Sequence, residues 1–161
     1  MTTAPIRVIC VEDHRIVREG LALIINQEAD MKMVGSCSNG DEALELFKSL
    51  RPDVTLMDLR LGATSGVDAI KAIRKEDPNA RIIVLTMYEG DEDIFRAHQA
   101  GATIYLLKDT LSSDLVRVVR EVHGGQRPVL PEVQARLAER ASMPTLTSRE
   151  VEVIQLISQG L

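Results

Sequence analysis

The sequence predicts an α/β protein built on a doubly wound parallel sheet. Short apolar runs alternate five times with segments of helical periodicity over residues 1–123. The apolar runs are rich in Val, Ile and Leu and are nearly continuous, which is typical of strands covered on both faces. Right-handed crossovers between such strands place helices on both sides of the sheet. We therefore expect five consecutive strand–helix units.

The predicted elements follow one another without a repeat or a low-complexity tract. Strands are expected at 6–11, 32–37, 53–58, 81–86 and 102–107. The first helix carries an apolar stripe that we expect to face the core, made of Ile16, Val17, Gly20, Leu21 and Ile24. The second and third helices show similar stripes, the fourth is weaker because it begins with acidic residues, and the fifth is stopped by Gly124 and Gly125.

A C-terminal helical appendage is predicted beyond the five units. Residues 124–144 are interpreted as a linker with a short helix that begins at Pro131. Residues 145–161 contain a second helix start, since Thr147 can act as N-cap and Glu150 can close a capping box. A single short amphipathic helix is marginally stable in water, so we expect this segment to belong to a larger unit or to dock on one.

Composition narrows the function classes. The 161 residues carry a formal net charge of −5, which argues against nucleic-acid binding by this segment alone, because a duplex partner requires Lys and Arg to neutralise its phosphates. No apolar run approaches the roughly 20 residues that span a bilayer, and residues 1–5 show no signal-peptide pattern. Cys10 and Cys37 are expected to be reduced core residues. A cytoplasmic protein without a membrane partner is the resulting expectation.

Polar side chains occur where four of the predicted strands end. They are Glu12 and Asp13, Asp58, Thr86 and Lys108. In a flavodoxin-like strand order 2-1-3-4-5, the carboxyl ends of these strands share one edge of the sheet, with the ligand crevice between the first and third strands. Three carboxylates suit Mg²⁺, which prefers oxygen ligands. A hydroxyl and an ammonium group suit the oxygens of a phosphoryl group.

Asp58 lies at the centre of this predicted site. A carboxylate beside a metal can act as a nucleophile toward phosphorus and form an aspartyl phosphate. We expect Asp13 and Asp58 to bind Mg²⁺ directly and Glu12 to act through water. Thr86 would donate to the phosphoryl oxygens and Lys108 would pair with them. Repulsion among the carboxylates is expected to raise the pKa of at least one of them, so metal affinity should fall with acidity.

Residues 6–123 resemble the receiver domain of two-component response regulators. The resemblance rests on the acidic pair, the segment 56–61 around Asp58 with Gly66 after it, Thr86 and Lys108, all in matching order and spacing. Residues 101–109 resemble the LuxR/NarL-type branch of that family. Residues 146–154 resemble the opening helix of the helix-turn-helix DNA-binding domain found in the same branch.

The resemblance implies a set of roles. Asp58 would accept phosphate from a sensor histidine kinase, and Asp13, Asp58 and the backbone carbonyl of Arg60 would bind Mg²⁺. Thr86 and Tyr105 match the two switch positions of receivers. The chain would then not be an enzyme, apart from self-phosphorylation and autodephosphorylation at Asp58. Three departures from the family pattern are Gly62, where many receivers have Pro, Asp109 after Lys108, where many have Pro with a cis peptide bond, and Met87, where a small residue is usual.

Two other functions are compatible with parts of the pattern. An Mg²⁺-dependent phosphatase could pass through an aspartyl phosphate, but such enzymes commonly place an acid two residues after the nucleophile, where this chain has Arg60. A receiver-type module that binds partners without using phosphate is left open by Gly62 and Met87.

The expected division is a receiver domain at 1–123, a linker with a short helix at 124–144 and the first output helix at 145–161. Base readout by a helix-turn-helix requires a second helix in the major groove, and none follows Leu161. DNA binding is therefore expected only through the remainder of an output domain. Whether the chain forms a homodimer stays open.

Overall fold

A computed structural model describes residues 4–62, 64–86, 91–102, 104–108, 111–128, 134–135 and 138. The strands are β1 (Ile6–Val11), β2 (Met31–Cys37), β3 (Val54–Asp58), β4 (Arg60–Leu61), β5 (Thr64–Ser65), β6 (Ile82–Thr86) and β7 (Ile104–Leu107). The helices are α1 (Arg15–Asn26), α2 (Gly40–Leu50), α3 (Gly66–Glu76), α4 (Asp91–Gln99) and α5 (Leu111–His123).

Five of the strands form a parallel sheet in the order β2-β1-β3-β6-β7. This confirms the predicted order 2-1-3-4-5, because β6 and β7 are the fourth and fifth strands of the sheet along the chain. Two apolar cores lie on opposite faces of the sheet. One contains the buried side chains of α1 and α5, and the other contains those of α2, α3 and α4. The doubly wound fold class is therefore confirmed.

The observed strands begin one or two residues away from four of the five predicted starts, and β6 begins at Ile82 rather than at residue 81. β7 begins at Ile104 rather than at residue 102, because the backbone N–H of Ala102 still donates to the carbonyl of Ala97 at the end of α4. Asp53 precedes β3, and its side chain accepts a hydrogen bond of 2.9 Å from the backbone N–H of Arg7. β2 begins at Met31, one residue before the predicted start. These shifts leave the carboxyl ends of the strands where the sequence predicts them.

A small antiparallel hairpin, β4–β5, was not predicted. Arg60 pairs with Ser65 and Leu61 with Thr64, directly between β3 and α3. Gly62 in its turn has φ +66°, a left-handed conformation that Pro cannot adopt because its ring fixes φ near −65°. Strands of two residues produce no periodic pattern, so the sequence carries no signal for this hairpin.

The predicted core stripe of α1 is wrong at Ile16. Its side chain is 85% exposed, whereas Leu21 and Ile25 are buried. Ile16 belongs to the first turn of α1, and the part of the helix that packs on the sheet begins about one turn later. Periodicity places a residue on a helix face, but it does not show where along the helix the contact with the sheet begins.

The predicted output helix at 145–161 lies outside the described residues. Of the predicted linker helix, residues 134–135 and 138 are described, and they are helical. Among the helices in the described ranges, none is long and apolar enough to cross a membrane.

Candidate functional site

The acidic residues predicted to share a site do lie together at the carboxyl edge of the sheet. β1 and β3 are adjacent and pair Val11 with Met57, so the residues that follow them are neighbours. Ligand atoms of Glu12, Asp13 and Asp58 all lie within 4.8 Å of one another, together with a ring nitrogen of His14.

Lys108 extends from the end of β7 into this cluster. Its Nζ lies 2.9 Å from Glu12 Oε2 and 3.1 Å from Asp58 Oδ2, and its side chain is 9% exposed. Burial alone would lower the pKa of Lys108, but the hydrogen bond to Glu12 and the charges of both carboxylates raise it. The ammonium group is therefore protonated and bridges two carboxylates that come from different strands.

The two carboxylates bound by Lys108 differ in their electrostatics. Burial raises the pKa of Glu12, but hydrogen bonds from Lys108 and His14 outweigh burial and leave this pKa below its usual value. Burial and the negative charge of Glu12 raise the pKa of Asp58 to about 6, against the opposing effect of Lys108. The expected rise of one carboxylate pKa is thus present at Asp58, with burial as its largest cause and repulsion as the second.

The backbone around Asp58 is held by the segment that follows it. The backbone N–H of Arg60 donates to Asp58 Oδ1 at 3.2 Å, and the N–H of Gly66 donates to the carbonyl of Leu59 at 3.1 Å. A Cβ at Gly66 would lie 2.1 Å from the carbonyl oxygen of Asp58, far inside van der Waals contact. Glycine is therefore required here for the start of α3 to approach the end of β3.

The two predicted switch residues lie on neighbouring strands. Thr86 ends β6, is buried and stands in register with Leu107 of β7. Tyr105 is buried in the core beneath α4, and its hydroxyl donates to the carbonyl of Ala102 at 3.0 Å and faces that of Ile94 at 3.4 Å. Burial raises the pKa of the Tyr105 phenol, which stays neutral. The switch roles of both residues stay predictions. Met87 and Asp109, two of the three departures from the family pattern, lie outside the described residues.

The donor set fits the predicted Mg²⁺ ion. Oxygen atoms of three carboxylates converge, and Asp13 Oδ1 is buried without a hydrogen bond within the described part of the chain. A hard divalent cation with oxygen ligands would neutralise this cluster more completely than Lys108 does alone. Lys108 pairs with both Glu12 and Asp58, and the division of the acids into direct and water-mediated ligands stays a prediction.

His14 contacts two carboxylates of the site, Glu12 and Asp13. Its side chain is 68% exposed. Its Nδ1 nevertheless lies 2.9 Å from Glu12 Oε1 and 3.1 Å from Asp13 Oδ1. The hydrogen bond to Glu12, with the charge of Asp13, raises the pKa of the imidazole. Its position directly after the acidic pair was the available signal.

Comparison with protein families decides the classification. Residues 8–120 match the response regulator receiver domain. The chain belongs to this family. The VraR response regulator of Staphylococcus saprophyticus is 34% identical over 161 residues, covering 97% of this chain and 77% of that protein. VraR of Staphylococcus aureus is 35% identical over 160 residues, with 96% and 77% coverage.

Solved structures of LuxR-family regulators are similar to this receiver. A LuxR-family two-component response regulator from Aurantimonas sp. superposes with a TM-score of 0.77 at 31% identity, covering 87% of this chain and all of that one. ChrA, the response regulator of a heme-sensing two-component system, has a TM-score of 0.71 at 34% identity, with 99% and 78% coverage. This chain is accordingly a two-component response regulator of the LuxR/NarL type, with its receiver fold at the N-terminal side.

Proposed function

We propose that Asp58 is the phosphoacceptor of this response regulator and that its modification controls transcription through a DNA-binding output domain. One observation carries the proposal. Asp58 is a buried carboxylate whose pKa is raised, and it lies within reach of an ammonium group and of two further acids that can hold a cation. This is the arrangement that phosphoryl transfer to a carboxylate requires, because charge must be neutralised on the oxygens of the moving group.

The proposed reaction is displacement at phosphorus. A carboxylate oxygen of Asp58 attacks the phosphoryl group carried by a histidine of the sensor kinase, a P–O bond forms, and the P–N bond to the imidazole breaks. Asp13, Asp58 and the carbonyl of Arg60 would hold Mg²⁺, with Glu12 acting through water. When bound, this ion supplies charge neutralisation to the carboxylates and to the transferring oxygens. Catalysis by the receiver is confined to gain and loss of phosphate at its own Asp58.

Lys108 is also proposed to contact the phosphoryl group once Asp58 is phosphorylated. In the unmodified state its ammonium group bridges Glu12 and Asp58. The phosphoryl group on Asp58 would carry about 1.5 to 2 negative charges and three acceptor oxygens in place of the carboxylate charge, so Lys108 would transfer its contact to it. Thr86 would donate its hydroxyl to another phosphoryl oxygen. Movement of Thr86 on β6 would then change the packing of Tyr105 on β7, which is the expected switch.

We infer the output function from the order of segments along the chain. We propose that residues 1–123 act as the receiver, 124–144 as a linker and 145–161 as the first helix of a helix-turn-helix output domain in a cytoplasmic regulator. The relatives with LuxR-family names support this order. Sequence-specific DNA contact would be made by the rest of that output domain.

Titration with beryllofluoride and Mg²⁺, followed by backbone NMR, tests the proposal. The mimic should shift the resonances of Thr86, Tyr105 and Lys108 in the wild type and leave them unchanged in Asp58→Asn. Identical spectra with and without the mimic would contradict the proposal and favour a phosphate-independent module. Asp53→Asn, a variant at the opposite end of the same strand, should respond as the wild type does.

A further inference from the structure

A cleft rich in arginine lies at the edge of the sheet opposite Asp58. It is formed between the end of α3, the loop to β6, the start of β7 and the segment that follows α5, and it measures about 360 Å³. Arg74, Arg81 and Arg127 line it. The described lining includes Asn79 and Gln126 but no Asp or Glu side chain.

Two of these guanidinium groups are fixed by backbone carbonyls. Arg74 NH1 donates to the carbonyl of Pro78 at 2.9 Å, and Arg81 NH1 donates to that of His123 at 2.8 Å. A guanidinium group has five N–H donors, so each of these contacts leaves others available. Arg74 Nε is buried and has no hydrogen-bond partner anywhere in the described ranges. The cleft therefore contains two guanidinium groups that are held by hydrogen bonds to the backbone. It also contains a buried N–H donor, Arg74 Nε, that forms no hydrogen bond within the described ranges.

The charges in the cleft are not balanced by its own residues. Burial and the positive charge of Arg127 lower the pKa of Arg74, and Asp77 offsets only part of that effect. Arg127 is exposed and forms no ion pair within the described part of the chain. Like charges that line one cleft, in a protein with a net charge of −5, favour an anion as its ligand.

We propose that this cleft binds a small oxyanion of the phosphate class. Guanidinium groups recognise phosphate through paired N–H donors, and several arginines on separate elements can surround one tetrahedral anion. The volume of the cleft lies at the lower end of the range of small-molecule sites, about 300–1,000 Å³. The acidic cluster around Asp58 lies at the other edge of the sheet and repels anions when no Mg²⁺ is bound, so the two sites are distinct.

Arg127 would connect the proposed oxyanion site to the start of the linker. Arg74 and Arg81 belong to the receiver core, whereas Arg127 lies in the segment that leaves α5 toward the linker. An oxyanion held by all three would tie the start of the linker to the base of the receiver. Occupancy of the cleft would thereby restrict the directions in which the chain leaves the receiver.

Titration of the full chain with inorganic phosphate at constant ionic strength, followed by backbone and arginine Nε–H NMR, tests the proposal. Saturable shifts should be centred on Asn79, Arg81, Gln126 and the side chain of Arg74. Arg127→Gln removes a side chain without described hydrogen bonds, and it should weaken binding about tenfold. Arg74→Gln should do the same, and its circular dichroism spectrum checks that it folds.

Arg117→Gln is the matched control, because Arg117 is an exposed arginine of α5 that pairs with Asp114 and Glu121 outside the cleft. It should bind phosphate as the wild type does. Absence of saturable shifts, or equal weakening in Arg117→Gln and Arg127→Gln, would overturn the proposal. Acetate, titrated in parallel, should produce much weaker shifts. Equal saturation by acetate would overturn the assignment to phosphate and indicate a carboxylate-binding cleft.

Discussion

Asp58 is an acid whose surroundings disfavour its charge. It is buried, it faces the ionised Glu12, and Lys108 is shared between the two carboxylates. The pKa of Asp58 is about 6 in the folded protein against a usual 3.8. A group of this kind gains more from a bound cation than an acid that is already neutralised, which suits a site that is expected to hold Mg²⁺.

Replacing Asp58 by Asn should stabilise the protein in the absence of Mg²⁺. The variant removes the unfavourable charge and keeps an oxygen for the N–H of Arg60 and the Lys108–Glu12 pair. We expect the free energy of unfolding at pH 7.5 to rise by about 1 to 3 kcal/mol. Urea denaturation in EDTA measures it. Asp53→Asn, which keeps an acceptor for the backbone of Arg7, should change stability by less than about 0.5 kcal/mol.

The raised pKa of Asp58 makes the stability of the folded protein depend on pH. Because the pKa of Asp58 is raised by folding, its protonated form stabilises the folded state below the usual pKa, and this contribution is lost as pH rises through about 6. The difference in stability between Asp58→Asn and the wild type should therefore be small near pH 4 and grow until about pH 7. A difference that does not change over this range would contradict the pKa assigned to Asp58.

Gly66 is a second residue on which the site depends. Gly66→Ala should destabilise the protein by about 2 kcal/mol or more, since its Cβ would overlap the carbonyl of Asp58. Gly20→Ala is the matched control, because a Cβ there meets nothing within 4 Å on helix α1. It should stabilise by about 0.5 to 1 kcal/mol. Thermal unfolding of both variants measures the pair, and equal effects would contradict the packing at Gly66.

The residues that form the site were largely predictable from the sequence, because residues at the carboxyl ends of parallel strands must share one edge of the sheet. The sequence could not show which carboxylate Lys108 contacts, or that His14 bonds to Glu12, because these contacts depend on side-chain packing. The functional roles of Asp13, Thr86, Tyr105 and the Arg60 carbonyl stay predictions.

Strands and helices were predicted where their patterns are long. Buried parallel strands give continuous apolar runs, so all five sheet strands were predictable from the sequence, and their observed order agrees with the flavodoxin-like topology taken for them. The hairpin β4–β5 did not, because two-residue strands have no period and depend on the left-handed turn at Gly62. The exposure of Ile16 was missed because the stripe of α1 continues past the part of the helix that packs on the sheet.

Strand β7 is tied to β1 and β3 through Lys108. Lys108→Gln should lower the free energy of unfolding at pH 7.5 by about 2 to 4 kcal/mol, because Glu12 and Asp58 would remain buried without their cation. Lys71→Gln on the exposed side of α3 should have little effect. In a double-mutant cycle by urea denaturation, Lys108→Gln should cost less in the Asp58→Asn background. Additive effects would show that the pair is not coupled.

Across the whole molecule, the sheet separates two charged regions. The carboxyl edge carries the acids around Asp58, and the opposite edge carries the arginine cleft beside the start of the linker. A cation is expected at the first and an oxyanion at the second. The parallel sheet between them keeps the two sites apart.

Mg²⁺ should stabilise the folded protein by binding to the acidic cluster around Asp58. A ligand at ten times its dissociation constant raises the free energy of unfolding by about 1.4 kcal/mol. Thermal unfolding with Mg²⁺ and with EDTA measures the effect, which should be largely lost in Asp13→Asn. Asp41→Asn, an exposed acid in the first turn of α2, should retain it. Equal stabilisation of both variants would show that the ion binds elsewhere.

Asp58 is proposed to receive the phosphoryl group. Incubation with a small phosphodonor such as phosphoramidate, followed by intact-mass spectrometry, tests this role. One added phosphoryl group is expected in the wild type with Mg²⁺, and none in EDTA or in Asp58→Asn. An unmodified wild type, or equal modification of Asp58→Asn, would contradict it.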